Sequence, residues 1–268
     1  MKILNGAELV GYIKERQAKQ VRGLRQAAQI FPKLAIIQTV DTPVIDTYVR
    51  LKQQYGEDIL IDVEVYCPAP DEVTALIRRL NADDTVHGII VQLPLDASLD
   101  TDAVLDMVAP EKDVDGLGGG AIFDAATPLA INWLTAGYGI ALEQKRILIV
   151  GNGRLVGAPL ANMWRRSGYD VRVVDETIDD LKSATLASDV IVTATGVPGL
   201  ITSDMIRPDT VVIDAGTAAE HGKIVGDVAE DVRQRQDISI TPSKGGVGPL
   251  TVAALFDNVI RAAQARRD

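Results

Sequence analysis

The sequence predicts an α/β fold: two α/β domains with a cleft between them, the second a Rossmann-type dinucleotide-binding domain. Three observations carry that expectation. Short apolar, β-branched runs alternate with helical stretches along most of the chain, the pattern of parallel sheets covered by helices. A Gly- and Pro-rich segment, APEKDVDGLGGGAIFDAATP at 109–128, interrupts that alternation and is the best domain boundary. A glycine-rich turn, GNGRLVG at 151–157, joins one apolar run to a helical stretch. At very roughly 100–200 residues per domain, 268 residues allow two modest domains, set here at 1–120 and 121–250.

In the first half, apolar residues at helical spacing predict a helix over 6–30, ending before Phe31-Pro32. KLAIIQTV (33–40) predicts a buried strand, and 44–55 a helix stopped by Gly56. ILIDVEVY (59–66) alternates as a strand does, 71–81 is helical, and GIIVQL (88–93) is a strand bounded by Gly88 and Pro94. Beyond the boundary come a helix at 128–138, the strand RILIV (146–150), the glycine turn, and a helix to about Gly168. VRVVD (171–175), DVIVTATG (189–196) and TVVIDAG (210–216) are further strands. SITPSKGGVGPLT (239–251) reads as a turn-rich link, and 251–266 as the final helix.

Composition narrows the function. The chain is 47% hydrophobic and 24% charged, enough for a packed core and against disorder. A net charge of −10 argues against binding nucleic acid or an anionic membrane through net charge. The single Cys67 excludes an intramolecular disulfide and multi-cysteine zinc sites, and His87 and His221 are too few for a histidine cluster, so no metal is expected. No apolar run approaches the roughly 20 residues of a spanning helix, and the N-terminus lacks a signal-peptide pattern. The expectation is a soluble, cytoplasmic protein.

Gly151, Gly153 and Gly157 lie where a chain leaves a strand and opens a helix. A pyrophosphate there needs a tight turn, backbone without a Cβ in the way, and the free N–H groups of a helix N-terminus. Asp175 ends the next strand, 24 residues after Gly151, where a ribose diol is gripped. The third glycine falls one residue late for the standard spacing. Asn152, Arg154 and Leu155 in the turn, with Thr195 and Gly196 at the end of 189–196, complete the candidate cofactor set. Asp175 and Glu176 accept hydrogen bonds from a ribose diol but repel a 2′-phosphate, which favours NAD over NADP. The bland alternative is a turn that only packs helix on sheet, with Asp175 a polar strand end.

Tyr48 and Lys52 are four apart on a predicted helix and share a face. A hydroxyl beside an ammonium is a proton-handling pair, although such a pair taken alone is commonest on a solvated face. Short-chain dehydrogenases use Tyr-x-x-x-Lys after an N-terminal glycine loop; here the pair precedes the glycines by about 100 residues. Gln92 ends a strand, where parallel sheets bind ligands, and Asp115 sits in the interdomain stretch. Either is equally a loop-capping amide or a turn aspartate.

YVRLK (48–52), VHGIIVQLPL (86–95), PEKDVDG (110–116), GRLVGAP (153–159), VVIDAG (211–216), GKIVGDV (222–228) and TPSKGGVGPLT (241–251) together resemble the methylenetetrahydrofolate dehydrogenase/cyclohydrolase family. The blocks stand in that family's order and cover nearly the whole chain. The resemblance implies oxidation of 5,10-methylenetetrahydrofolate by NAD or NADP, then hydrolysis to 10-formyltetrahydrofolate. It implies that Lys52 handles protons, Tyr48 orients the folate, Gln92 tunes Lys52, and Asp115 grips the pterin. It also implies that Gly245 to Pro249, Gly248 among them, line the pocket near nicotinamide and substrate. The first domain becomes the folate-binding one, completed by helix 251–268, and the family is typically a homodimer.

Departures from the family pattern matter too. Pro43-Val44-Ile45 replaces Pro-Ala-Ser, and Leu117 with Gly118 to Gly120 replaces an aromatic-His-Pro stretch, leaving a shorter, more flexible loop. Gly151-Asn152-Gly153 replaces Gly-Arg-Ser, and Asp175-Glu176 replaces His-Ser, so both usual 2′-phosphate ligands are absent, with Arg154 or Arg172 as compensating candidates. Lys244 replaces a proline and either contacts a bound anion or faces solvent. The competing readings are a dehydrogenase with weak or absent cyclohydrolase activity, a silent folate- or nucleotide-binding protein, and a shikimate-type dehydrogenase.

Overall fold

The computed structural model describes residues 1–220 and 223–266. In chain order the elements are β1 (Lys2–Ile3), α1 (Gly6–Ala27), β2 (Lys33–Gln38), α2 (Pro43–Asp58), β3 (Asp62–Tyr66), α3 (Val73–Ala82), β4 (Gly88–Gln92), α4 (Thr101–Leu105) and α5 (Ala126–Gly137). There follow β5 (Ile147–Val150), α6 (Gly157–Arg166), β6 (Val171–Val174), α7 (Leu181–Leu186), β7 (Val190–Thr193), β8 (Val211–Asp214), β9 (Ala218–Glu220), β10 (Lys223–Val225), α8 (Glu230–Arg233), β11 (Ser239–Ile240) and α9 (Val247–Ala265). The chain forms two compact units, one of Gly11–Ala126 with Val252–Asp268, the other of Met1–Val10 with Thr127–Thr251. The first ten residues thus group with the glycine-turn unit, not with the unit that an expected 1–120 domain assigned them to.

The first-named unit holds a parallel sheet in the order β3-β2-β4. Register sets Gln38 beside Gln92, so both amides leave the carboxyl edge of the sheet together. Ala35, Ile37, Ile89 and Val91 face α3 through Val73, Ile77 and Leu80 in one core layer. Elsewhere in the unit Tyr55 of α2 stacks on Phe256 of α9, with ring centroids 5.1 Å apart. The second unit holds a six-stranded sheet, β1-β11-β8-β7-β5-β6, parallel throughout. Its central strands β5 and β7 are short and buried throughout, which is why they read as unbroken apolar runs, whereas β6 carries the exposed Arg172 and both residues of β1 are exposed.

Local chemistry explains where elements start and stop. Thr42 caps α2 by accepting from Ile45 N at 3.3 Å, and Pro43 supplies the first helical residue. The helix expected over 6–30 ends at Ala27 because Gln29 turns left-handed (φ 54°) and Ile30 N closes back on Leu24 O. Gly56 does not stop α2. It lies inside the helix, and a Cβ there would sit 2.5 Å from Val63 Cγ2, so the glycine serves close packing on β3. The last helix starts at Val247, four residues before its expected start at 251. β1 and β11, two residues each, carry no periodicity to read and exist only through pairing with neighbours.

Candidate active site

In the three-stranded unit, α2 and the carboxyl end of β4 bring two expected residues together. Lys52 Nζ donates to Gln92 Oε1 at 2.7 Å, and Gln92 Nε2 donates to Leu93 O at 3.0 Å, which orients the amide. Burial pushes the Lys52 ammonium below its usual range, and the Asp115 carboxylate opposes that shift. Asp115 is itself pushed up by burial and held down by Lys52. The two act on each other through space, without an ion-pair contact between them among the described residues. Burial also raises the Tyr48 phenol. Among the described residues its hydroxyl has no hydrogen-bond partner, so it remains available to a ligand.

The turn that presents Asp115 is built by its chain neighbours. Asp113 accepts from Gly116 N (3.0 Å), Leu117 N (3.1 Å) and Gly118 N (2.8 Å), and Ile89 N of β4 donates to Lys112 O at 2.7 Å. Gly119 N donates to Asp106 at 2.7 Å. The Gly118–Gly120 segment, expected as a flexible loop, therefore has two amides tied to carboxylates. Lys112 is fully buried and donates to the carbonyls of Leu80, Asn81 and Asp83 at 2.7–2.8 Å, closing the end of α3. A cavity of about 570 Å³ lies along a different face of α2, lined by Gln38, Asp46, Arg50, Gln53 and Cys67 and not by Lys52.

In the six-stranded unit, Gly151 follows β5 with φ 103°, and its Cβ would lie 2.6 Å from Ala194 O. A Cβ on Gly157 would lie 1.8 Å from Gly151 O, so α6 starts pressed against the turn. A Cβ on Gly153 would meet nothing within 4 Å. Packing does not require that glycine, whereas open space at a helix N-terminus is what an approaching pyrophosphate needs. Asn152, Arg154 and Leu155 are exposed in the same turn. Asp175, directly after β6, takes the N–H (3.0 Å) and hydroxyl (2.7 Å) of Thr177 on Oδ1, which holds its carboxyl below the usual range. Glu176 and Arg172 are exposed beside it. Thr195 and Gly196 follow β7, the latter at φ 72°. These features fit a dinucleotide. Gly248 and Pro249 fall in the first turn of α9, inside the unit that ends at Thr251, and Lys244 is exposed just before it.

Residues 4–115 match the catalytic domain of tetrahydrofolate dehydrogenase/cyclohydrolase, and 125–267 match its NAD(P)-binding domain. The chain belongs to the tetrahydrofolate dehydrogenase/cyclohydrolase family. It is 35% identical to the bifunctional protein FolD of a Sulfurovum species over 99% of this chain and all of that one. The crystal structure of the bifunctional FolD methylenetetrahydrofolate dehydrogenase/cyclohydrolase of Campylobacter jejuni is 37% identical, covers 99% of both chains and superposes with a TM-score of 0.94. The Trypanosoma brucei enzyme, solved with NADP and an inhibitor, is 29% identical with a TM-score of 0.93, covering 98% of this chain and 97% of that one. The second domain of a family member binds NAD(P), as expected from the glycine turn. Among the described residues no helix is long and apolar enough to cross a membrane, and no group of three acidic, histidine or cysteine side chains is placed to hold a metal.

Asp214 and Asp227 are the other residues that sequence reasoning left without a role. Both side chains are buried, and each lies inside a glycine-containing block, Asp214 in VVIDAG, read as a strand, and Asp227 in GKIVGDV. An apolar run broken by Asp and followed or preceded by Gly was the available signal.

Proposed function

We propose that this chain oxidises 5,10-methylenetetrahydrofolate to the 5,10-methenyl compound with a nicotinamide dinucleotide, and hydrolyses that product to 10-formyltetrahydrofolate. The observation that carries the reading is the Lys52 Nζ–Gln92 Oε1 bond at 2.7 Å, on a lysine whose burial favours the neutral form. A lysine whose pKa is lowered by burial is a better base than an ordinary solvated one. Water adding to the methenyl carbon gives its proton to neutral Lys52. The ammonium then protonates the departing ring nitrogen as the formyl carbonyl forms, and the hydroxyl proton leaves to solvent. Gln92 aims Lys52, Asp115 binds the pterin and limits how far the lysine pKa falls, and Tyr48 offers its hydroxyl and ring face to the folate. A nicotinamide dinucleotide, when bound, would supply the hydride acceptor for the first step. Residues 1–120 with helix 251–268 would serve the folate and 121–250 the dinucleotide, with Gly248 and Pro249 beside the substrate. The cytoplasmic homodimer expected from the resemblance belongs to the same reading.

The turn of Gly151, Asn152, Gly153, Arg154 and Leu155, with Thr195 and Gly196, would hold the dinucleotide. NAD is favoured over NADP because Asp175 is a half-buried carboxylate held below its usual range by Thr177, which engages one oxygen and leaves the other for a ribose diol. A 2′-phosphate would meet that charge and the neighbouring Glu176. The test is a steady-state assay with 5,10-methylenetetrahydrofolate, run with NAD and with NADP, following reduced nicotinamide and the methenyl absorbance. Turnover with NAD and no lasting methenyl signal is expected. Turnover with NADP alone overturns the role given to Asp175, persistent methenyl compound overturns the hydrolytic step, and no turnover overturns the reading.

A further inference from the structure

Asp227 is fully buried, and its Oδ1 has no hydrogen-bond partner among the described residues. Its Oδ2 accepts the Thr193 hydroxyl at 2.6 Å and the Thr195 backbone N–H at 2.7 Å, both at the end of β7. A second buried carboxylate holds Asp227 in turn. Asp214 Oδ1 accepts from Asp227 N at 3.0 Å, and Asp214 Oδ2 accepts from Val228 N at 3.2 Å and Arg233 Nη2 at 2.7 Å. Two glycines let the carboxylates come this close to backbone. A Cβ on Gly216 would lie 2.0 Å from Asp227 Oδ1, and one on Gly226 would lie 2.1 Å from Asp214 Oδ2. The two Asp–Gly pairs therefore clasp one another reciprocally.

The loop held this way abuts the glycine turn. Ala194 N donates to Val150 O at 2.9 Å, and a Cβ on Gly151 would lie 2.6 Å from Ala194 O and 3.2 Å from Thr195 Cγ2. From β5 the chain steps outward to β6 and then returns to the other side of β5 as β7. That reversal of strand order is where open α/β sheets bind ligands, beyond the carboxyl ends of the strands. An apolar residue in place of Asp227 would leave the Thr195 N–H unpaired, and a buried polar group is costly unless it is hydrogen-bonded.

We propose that Asp227 is a positioning residue for the dinucleotide: it fixes the Thr193–Gly196 loop against Gly151 and so sets one wall of the site where the strand order reverses. The proposal rests on the dinucleotide reading above. The test measures dissociation constants of NAD and NADP on the full chain for wild type, Asp227→Ala, Asp227→Asn and Thr193→Val. Hydrolysis of 5,10-methenyltetrahydrofolate without dinucleotide gives a second readout from the same preparations. Asp227→Ala is expected to weaken the preferred dinucleotide about tenfold or more, with hydrolysis within about twofold of wild type. Asp227→Asn, whose amide oxygen accepts the same two donors, restores most of the affinity. Thr193→Val, which removes one donor, falls between at about threefold. If Asp227→Ala does not fold, the ordering of the Asn and Val variants decides: Val must bind more weakly than Asn. Affinity within twofold of wild type in all folded variants overturns the proposal, as does equal loss of affinity and hydrolysis. A wild type that binds neither NAD nor NADP instead overturns the dinucleotide reading beneath it.

Discussion

In the proposed reading the working groups around Lys52 are side chains, whereas at the 150–157 turn they are backbone. The Lys52, Asp115 and Tyr48 groups are partly enclosed, and burial moves all three away from their ordinary pKa values. The glycine turn contributes a positive φ, a helix start pressed against a strand end, and exposed residues from 152 to 155. Proton transfer needs groups whose charge can change, so it requires side chains and desolvation. Binding a pyrophosphate needs donors whose charge does not change, and main-chain N–H groups at a helix start supply them. The carboxylates behave accordingly. Asp115 acts through space on a lysine shifted by burial, while Asp113 and Asp214 use both oxygens, and Asp227 one, to hold loops.

The comparison breaks most sharply at Lys52. Lys52→Ala should lower hydrolysis of the methenyl compound by about a hundredfold or more while leaving dinucleotide affinity and the unfolding midpoint unchanged. Retained hydrolysis would move the proton chemistry elsewhere. Next come the glycines, where backbone dominates. Gly157→Ala should cost about 2 kcal/mol or more of stability, because its Cβ would meet Gly151 O at 1.8 Å. Gly153→Ala should leave stability within about 0.5 kcal/mol, since nothing lies within 4 Å, yet weaken dinucleotide binding. Denaturant titration beside binding curves separates the two, and equal behaviour would remove the distinction between packing and ligand glycines.

A smaller effect tests the coupling at the side-chain site. Asp115 raises the Lys52 pKa against the lowering by burial. Removing its charge in Asp115→Asn should let that pKa fall further, so the rising limb of the hydrolysis–pH profile moves to lower pH. An unmoved or alkaline-shifted limb would mean that Asp115 does not act on Lys52. Last is His87, buried and accepting from Lys33 N, with a pKa pushed down by burial to about 4. The unfolded imidazole titrates near 6.5, so the folded state binds fewer protons between those values. The stability this group contributes is complete above about pH 6.5 and is lost as pH falls toward 4, up to about 3 kcal/mol. His87→Gln should show a shallower decline of thermal stability over that window, and a parallel decline would exclude the histidine as its source.

Much of this protein is set by its sequence alone. The β2, β4, β5 and β7 segments are apolar runs bounded by Gly, Pro or polar residues, because a strand covered on both faces has no reason to alternate. The glycine turn and the Tyr48–Lys52 spacing are local patterns, readable because turn geometry and helical pitch act within a few residues. Tertiary structure alone decided the rest. β1 and β11 are too short to leave a pattern, Gly56 continues a helix that a glycine was expected to end, and the first ten residues group with the second half of the chain. Lys112 looks like a surface lysine until the three carbonyls ending α3 enclose its ammonium. Asp214 and Asp227 lie 13 positions apart and acquire meaning only when β8, the β7 loop and two glycines converge on them. Hydrogen bonds and burial depend on distance in space, and a sequence records distance along the chain; the two agree within a turn or a strand and part company beyond it.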